Sequence, residues 1–340
     1  MPMDSSPACV SFIGIVDFTE HANWVYCSES VCDLLGYEPR ELIGTSSLHL
    51  VHPDEFSEVK ELHYTTISQD QAAVLAYLRM KHKDPYKGYI LCGISRTVCQ
   101  NVLVGSVSFA APGPKAMHNA STAQEVKIIT PTAKDLEFRQ RPRDKSQAIS
   151  FDPLPEQSLR TALILDRFSV NCTILYCSND SLLPTTTCMG RSFFDFVSVK
   201  DEPLVRSWID VIKSWGVNER GQPSDGGFGF GKFSLIVHGR DSSRPPDPVP
   251  SRHRSGSHAN SYQSGSTESS RGSRDSRPSY HHSSSSNSNS NYRDRERERD
   301  RHRESRTSSN KDRGNGDRIV DAIFSAHSDG LMAILRPASA

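Results

Sequence analysis

The first hundred residues alternate between apolar runs and polar turns in a pattern that predicts a small mixed α and β domain. Residues 10–18 and 23–27 are rich in Val, Ile, Phe and Trp, which favours two short strands. Apolar residues at helical spacing follow, and Gly36 is placed to end that short helix. We therefore expect a strand pair followed by a helix.

A longer helix is predicted to begin at Pro53. The first residues of a helix make no intrahelical N–H bond, so proline is tolerated there, and the acidic residues that follow interact favourably with the positive end of the helix dipole. Three further strands are predicted at residues 74–81, 89–97 and 102–110, because β-branched and aromatic residues return there. This order of elements accounts for nearly all of residues 10–111 and defines a first domain.

The same pattern returns in weaker form after a stretch rich in Pro, Lys and Ser at residues 112–156, which is predicted to be a linker with a short strand or helix near 125–129. The landmarks of the second copy, in order, are Thr161–Asp166, Tyr176-Cys177-Ser178, Met189-Gly190 and Asp201-Glu202. The helix signature of the first copy is missing at residues 182–188, so the sequence pattern does not decide whether this segment forms a helix.

The second copy is interrupted by a low-complexity block. Residues 241–317 contain no Leu, Ile, Phe, Met, Trp or Cys, so they cannot bury enough apolar surface to offset the entropy of ordering. Strand patterns resume at 318–326 and 331–335. We therefore predict a tail at 1–9, a second domain formed by 157–240 and 318–340, and a disordered Ser/Arg-rich insertion within one of its hairpins.

The motifs of the first copy resemble the centre of a Per-Arnt-Sim (PAS) domain. They are Tyr26-Cys27-Ser28, Leu34-Leu35-Gly36-Tyr37, Glu41-Leu42-Ile43-Gly44 and His52-Pro53-Asp54-Glu55. The resemblance implies an α+β fold with two PAS-like domains, each an antiparallel five-stranded sheet with helices on one face, the second split by the insertion.

The tandem arrangement is similar to the PAS regions of eukaryotic transcriptional regulators, of the fungal white-collar type or the clock/Arnt type. That resemblance implies a non-enzymatic signalling protein that forms dimers with itself or another PAS protein, within a transcription-factor complex, in the nucleus and cytoplasm. An alternative is a small-molecule sensor whose first domain binds an apolar ligand or haem. A second alternative is an RNA-associated adaptor that acts through the insertion.

Candidate cofactor residues are few, and neither a catalytic nor a metal site is predicted. Ser47 and Phe193 stand where photoreceptor PAS domains carry the cysteine that forms a flavin adduct, and neither side chain supplies a thiolate, so no photoactive flavin adduct is expected. His63 is a weak haem candidate on the long helix. No cofactor is therefore expected, with haem or an apolar ligand left as alternatives.

Partner binding is predicted to use a sheet face that carries alternating apolar residues. Tyr89, Leu91 and Leu103 are the candidate interaction residues, although periodicity alone does not say which strand face is outward. An apolar sheet face of this kind needs a cover, whether a partner or a flanking helix.

The charge, the apolar runs and the cysteine content predict no further strong class of partner. The formal net charge is zero, and residues 241–317 hold fourteen Arg and one Lys against eleven acids, so nucleic acid is expected to bind only weakly or indirectly. No apolar run approaches the ~20 residues that span a bilayer. Eight cysteines without a Cys-x-x-Cys motif favour a reduced, intracellular protein.

Overall fold

The computed structural model describes residues 10–110, 113–130, 149–218, 220–240 and 317–339. The predicted tail, and all of the predicted insertion except Asp317, lie outside these residues. Within the described residues the chain forms two domains, each built on an antiparallel sheet core with helices packed against it. The predicted α+β class is confirmed.

The first domain contains six strands in the order β2-β1-β5-β4-β3-β6. Its strands are β1 (Ser11–Asp17), β2 (Trp24–Cys27), β3 (Val74–Lys81), β4 (Tyr89–Cys99), β5 (Val102–Phe109) and β6 (Glu125–Ile128). Its helices are α1 (Val31–Leu35), α2 (Pro39–Leu42), α3 (Phe56–Ser68) and α4 (Pro114–Thr122), with 3-10 turns at Ser47–Leu50 and Pro53–Glu55.

Alternation along the strands separates two faces of this sheet. Phe12 and Val16 of β1 pack against the helices α1 to α3, whereas Ile13 and Ile15 point to the opposite face. Helix α1 ends at Gly36 as predicted, because that residue adopts a φ of 80° that a side chain with a Cβ rarely takes.

Helix α4 and strand β6 arise from the stretch that the sequence predicted to be linker. β6 pairs in parallel with β3, so the first sheet has a sixth strand beyond the five expected. Ala120 of α4 packs with Leu91 and Tyr77 on the face opposite α1 to α3. This part of the apolar face is therefore covered by the domain's own chain.

The second domain contains five strands in the order β8-β7-β11-β10-β9. They are β7 (Thr161–Leu165), β8 (Ile174–Cys177), β9 (Gly229–Ile236), β10 (Asp317–Ala326) and β11 (Leu331–Pro337), with helices α5 (Thr185–Cys188) and α6 (Glu202–Trp215) and a 3-10 turn at Phe193–Phe196. Helix α5 is the counterpart of α2, since Gly190 after α5 and Gly44 after α2 make equivalent hydrogen bonds to Ile174 and Trp24, and the described residues between β8 and α5 form no counterpart of α1.

Strands β9 and β10 are antiparallel neighbours, with Ile236 paired to Asp317. The chain between these two residues therefore joins the ends of one hairpin. β10 and β11 are both interior strands of the sheet, since β11 also pairs with β7. The second core consequently depends on chain segments from both sides of residues 241–316.

The two sheets pack against each other through the faces that lie opposite α1 to α3 in the first domain and opposite α6 in the second. Ile13 and Val104 of the first domain form one apolar cluster with Ile164 and Ile334 of the second. The rings of Tyr26 and Tyr176, which hold equivalent positions in the two copies, stack with centroids 5.6 Å apart. The sequence did not indicate what covers this apolar sheet face, and in the structure the sheet of the second domain covers it.

Polar contacts at the edge of this interface are reciprocal. The amide of Ser30, after β2, donates to a carboxylate oxygen of Asp329 in the β10–β11 turn at 2.7 Å. The hydroxyl of Ser181, after β8, donates to the side-chain oxygen of Gln100 in the β4–β5 turn at 2.6 Å. Such exchange of equivalent contacts relates the domains by an approximate two-fold arrangement.

Candidate functional site: the cavity of the first domain

The core of the first domain contains a cavity of about 60 Å³ between the sheet and the long helix α3. Its apolar lining includes Trp24, Leu48, Val59, Leu78, Met80 and Leu103. Its polar lining comprises Ser47, His63, Ser95, Arg96 and Ser106. A space with this lining accepts a small molecule whose surface is mostly apolar.

Two glycines form the floor of the cavity. Gly14 of β1 is paired with Gly105 of β5, and Gly105 is paired in turn with Arg96 of β4. All three residues line the cavity. Because the two glycines lack side chains, the Trp24 ring packs closely on Gly14 and the backbone of Ser95 lies close to Gly105, which is a common feature of glycines in strands.

Arg96 is the most unusual residue of the site. Its side chain is 8% exposed, makes no hydrogen bond or ion pair within the described residues, and leaves Nη1 buried without a partner. Burial lowers the pKa of Arg96 to about 10, so the guanidinium remains charged at neutral pH. A buried charge without a counter-charge is costly, and most buried polar groups in proteins have partners.

Trp24 supplies a second buried donor to the same cavity. Its indole Nε1 has no hydrogen-bond partner among the described residues. Tryptophan usually satisfies this N–H when the ring is buried. Two residues that line the cavity, Arg96 and Trp24, therefore each carry a buried donor that has no partner among the described residues.

His63 lies at the cavity, as a ligand role would require, but its ring is already engaged. Nε2 is 3.0 Å from the carbonyl oxygen of Thr19, so this nitrogen carries the proton and donates it. Burial, followed by the nearby Arg96 charge, lowers the pKa of His63 to about 4. The residues do not fit haem, because Nε2 is occupied and the cavity is far smaller than a porphyrin.

The equivalent level of the second domain is filled by side chains. Strand register places Leu163, Ala333 and Phe324 where the first domain has Gly14, Gly105 and Arg96. Phe193, the counterpart of Ser47, is fully buried, and its ring packs against that of Phe324 with centroids 6.0 Å apart. The two domains share a fold but differ at the same place in the core.

The predicted interaction residues do not lie together. Leu103 faces the interior and lines the cavity, so it is not an outward position and a charge there would enter the core. Leu91 lies on the opposite face, in the cluster beside α4 and β6. Tyr89 is partly exposed and packs edge-on against the ring of His52.

Sequence reasoning missed Arg96, Trp24 and the glycine pair. Arg96 interrupts an otherwise apolar and small-residue strand, and Gly105 interrupts another, which are the signals that could have drawn attention to them. Their convergence depends on strand register between residues far apart in sequence, which periodicity alone does not give.

The repeated cysteines differ in their environments. Burial raises the pKa of the Cys27 thiol to about 12, which leaves it protonated and unreactive at neutral pH. A hydrogen bond with Cys188 lowers the pKa of the Cys177 thiol below its usual value. In the part of the chain described, no group of three His, Cys, Asp or Glu side chains is placed to hold a metal ion. No helix among the same residues combines the length and apolarity needed to cross a bilayer.

Comparison with known proteins supports the resemblance for the first domain. The family model described as "PAS fold" matches residues 24–85, which include β2, α1 to α3 and β3. The first domain has a PAS fold. The second domain, with the same order of core strands, is PAS-like. No curated protein matches the chain significantly.

Solved PAS structures resemble about a third of the chain. The PAS domain of the Cronobacter turicensis RpfR quorum-sensing receptor, solved with BDSF, is 20% identical over 30% of this chain and 94% of its own, with a TM-score of 0.27. Drosophila melanogaster Cycle PAS-B, solved with ethylene glycol, is 17% identical over 29% of this chain and 99% of its own, with a TM-score of 0.25.

Proposed function

We propose that the first PAS domain is a sensor that binds a small, mainly apolar molecule in its cavity. The observation that carries the proposal is the contrast between the two domains at one level of the sheet. Gly14, Gly105 and Arg96 line a cavity at that level in the first domain, whereas Leu163 and Phe324 are packed into the core there in the second. The second domain is then the platform against which the sensor packs.

The size of the cavity limits the ligand. A buried water needs about 10–15 Å³ of such space, so the cavity's volume corresponds to roughly four to six waters. A molecule of about five to eight non-hydrogen atoms fits this volume. Met80 lines one wall, and its flexible side chain can adapt to a somewhat larger molecule.

A signal would pass through a single strand. Leu103 of β5 lines the cavity, while its neighbours Val102 and Val104 lie in the cluster shared with the second domain. Because successive residues of a strand point to opposite faces, a shift of Leu103 on binding moves the backbone that carries both neighbours. Occupancy of the cavity would thereby alter the interface between the two domains.

Binding of pentan-1-ol by the full chain tests the proposed function. We expect ligand-observed saturation-transfer NMR to detect binding to the wild type and to Ser47→Ala, which keeps the cavity open. Ser47→Phe introduces the residue that the second domain carries at this position, and we expect it to weaken binding by about tenfold or more, equivalent to 1.4 kcal/mol. Unchanged binding in a folded Ser47→Phe variant would contradict the proposal, and melting curves verify the fold.

A second proposed function is association with a second copy of the chain, in the setting of transcriptional regulation that the sequence resemblance implies. Phe230 and Ile319 are half-exposed or more on the helix-free face of the second sheet, next to the part that the first domain covers. Asp321 lies between Lys232 and Arg336 on the same face, at 3.5 and 3.2 Å. A patch with apolar residues and both charge signs is complementary to itself.

Sedimentation of the full chain tests this association. We expect a concentration-dependent dimer for the wild type and a monomer for Ile319→Asp, with Ile319→Val as the matched control that keeps the apolar contact. A wild type that remains monomeric at all concentrations would rule the second function out.

A further inference from the structure

The two unsatisfied donors in the cavity indicate what its ligand must offer. Arg96 leaves a buried positive charge and Trp24 a buried N–H, and the remaining contacts on offer are chiefly apolar. Neither donor has a hydrogen-bond partner among the described protein residues, so an acceptor group on a ligand would supply the hydrogen bonds that the lining does not. A wholly apolar ligand would leave both donors as they are.

The lining also fixes the sign of the ligand's charge. Among the residues that line the cavity, the titratable side chains are Arg96 and His63, and no carboxylate is present. His63 is neutral and its Nε2 proton is already donated to Thr19. The site therefore carries one positive charge, which attracts a single negative charge and repels a cation.

We infer that the ligand is a small monocarboxylate with a short aliphatic tail. Its carboxylate accepts hydrogen bonds from Arg96 and Trp24, and its tail packs against Leu78, Met80 and Leu103. A carboxylate matches the planar guanidinium fork and brings one charge, whereas a phosphate would bring up to two into surroundings that hold a single counter-charge. The inference rests on the proposed function and specifies the class of molecule sensed.

Affinities of the full chain for three probes, measured by calorimetry and by competition NMR, test the inference. The probes are sodium pentanoate, pentan-1-ol and sodium chloride at matched ionic strength. Hydrogen bonds to a charged group contribute more than neutral ones, so we expect pentanoate to bind about tenfold to a hundredfold more tightly than pentan-1-ol. Chloride is expected not to displace pentanoate.

Two variants locate the preference. Arg96→Met keeps the length of the side chain and removes the charge, so we expect the affinity for pentanoate to fall to that for pentan-1-ol measured in the same variant. Replacing a buried unpaired charge by an apolar group is often neutral or stabilising, so this variant is expected to fold. Trp24→Phe keeps an aromatic ring and removes the N–H, and we expect it to reduce the ratio of the pentanoate affinity to the pentan-1-ol affinity severalfold.

The outcomes separate this inference from the proposed function. Equal affinity for pentanoate and pentan-1-ol in the wild type, or a preference that survives in Arg96→Met, would overturn the carboxylate assignment and leave the sensor proposal standing. Displacement by chloride would show a site for any anion and would also overturn the assignment. Binding of neither organic probe would overturn both.

Discussion

At the scale of single residues, burial determines the charge states of the two histidines with the strongest pKa shifts. His63 in the first domain and His327 in the second are each 1% exposed, and burial lowers the pKa of both to about 4. Both are therefore neutral in the folded protein at physiological pH. The unfolded chain, in contrast, protonates them near their ordinary pKa of about 6.5.

The stability of the protein should consequently depend on pH in the acid range. Between pH 6.5 and 4 the histidines are protonated in the unfolded state but remain neutral in the folded state. The free energy of unfolding is therefore largest above pH 6.5 and falls as the pH approaches 4. His63 contributes up to about 3 kcal/mol of this loss. Urea unfolding at pH 7 and 4.5 measures it.

His63→Gln provides the comparison, because glutamine can still donate to the Thr19 carbonyl but does not titrate. We expect its unfolding free energy to vary less with pH than that of the wild type, with His327 retained as the remaining titrating group. An identical pH dependence in both proteins would show that His63 does not titrate as the structure implies.

At the scale of elements, α4 and β6 complete the first domain. Val126 of β6 packs with Leu75 and Tyr77 on the face of the sheet that α1 to α3 leave bare. The pairing of β6 also occupies the edge of β3, which would otherwise present unpaired backbone groups. Residues 113–130, the part of this segment that holds α4 and β6, therefore belong to the first domain's structure.

A charge in β6 should destabilise the first domain. We expect Val126→Asp to lower the unfolding free energy by about 2 kcal/mol, because it removes apolar burial and places a carboxylate against the sheet. Val126→Ile is the matched control, because it keeps an apolar side chain at the same position of the strand. A melting temperature of Val126→Asp equal to that of the control would argue against a structural role for β6.

The elements also show what sequence patterns can and cannot predict. The strands β1 to β5 and the end of α1 at Gly36 follow from alternation and from glycine's backbone freedom, so they could be predicted. Helix α4 could not, because its sequence is largely polar and its apolar contacts are made with a distant sheet. The sequence could not predict that Leu103 points inward either, because alternation defines the two faces of a strand but not which face the helices cover.

At the scale of the whole molecule, the second domain is assembled from two separated parts of the chain. Strand β11 lies at the middle of its sheet and β10 between β11 and β9, yet both follow residues 241–316. The loop-closure penalty grows only with the logarithm of length, so a long connection between β9 and β10 costs about 2 kcal/mol more than a short turn.

Two deletions test this assembly. Replacing residues 241–316 by Asn-Gly should leave the second domain folded and raise its stability by about 2 kcal/mol, since that pair closes hairpins directly. Truncation after residue 240 should unfold it, because buried Phe324, Leu331 and Leu335 are lost from the core. Circular dichroism and thermal melting measure both, and a truncated chain that melts like the wild type would contradict the split assembly.

The face-to-face packing of the two sheets has a consequence for competition by other proteins. Because both sheets belong to one chain, their encounter is intramolecular, and tethered partners of this kind meet at effective concentrations of about 1 mM. A sheet of equal affinity supplied by another protein at about 1 μM would be outcompeted roughly a thousandfold. Displacement from outside therefore requires an event that first weakens the contact between Ile13 and Ile164 from within.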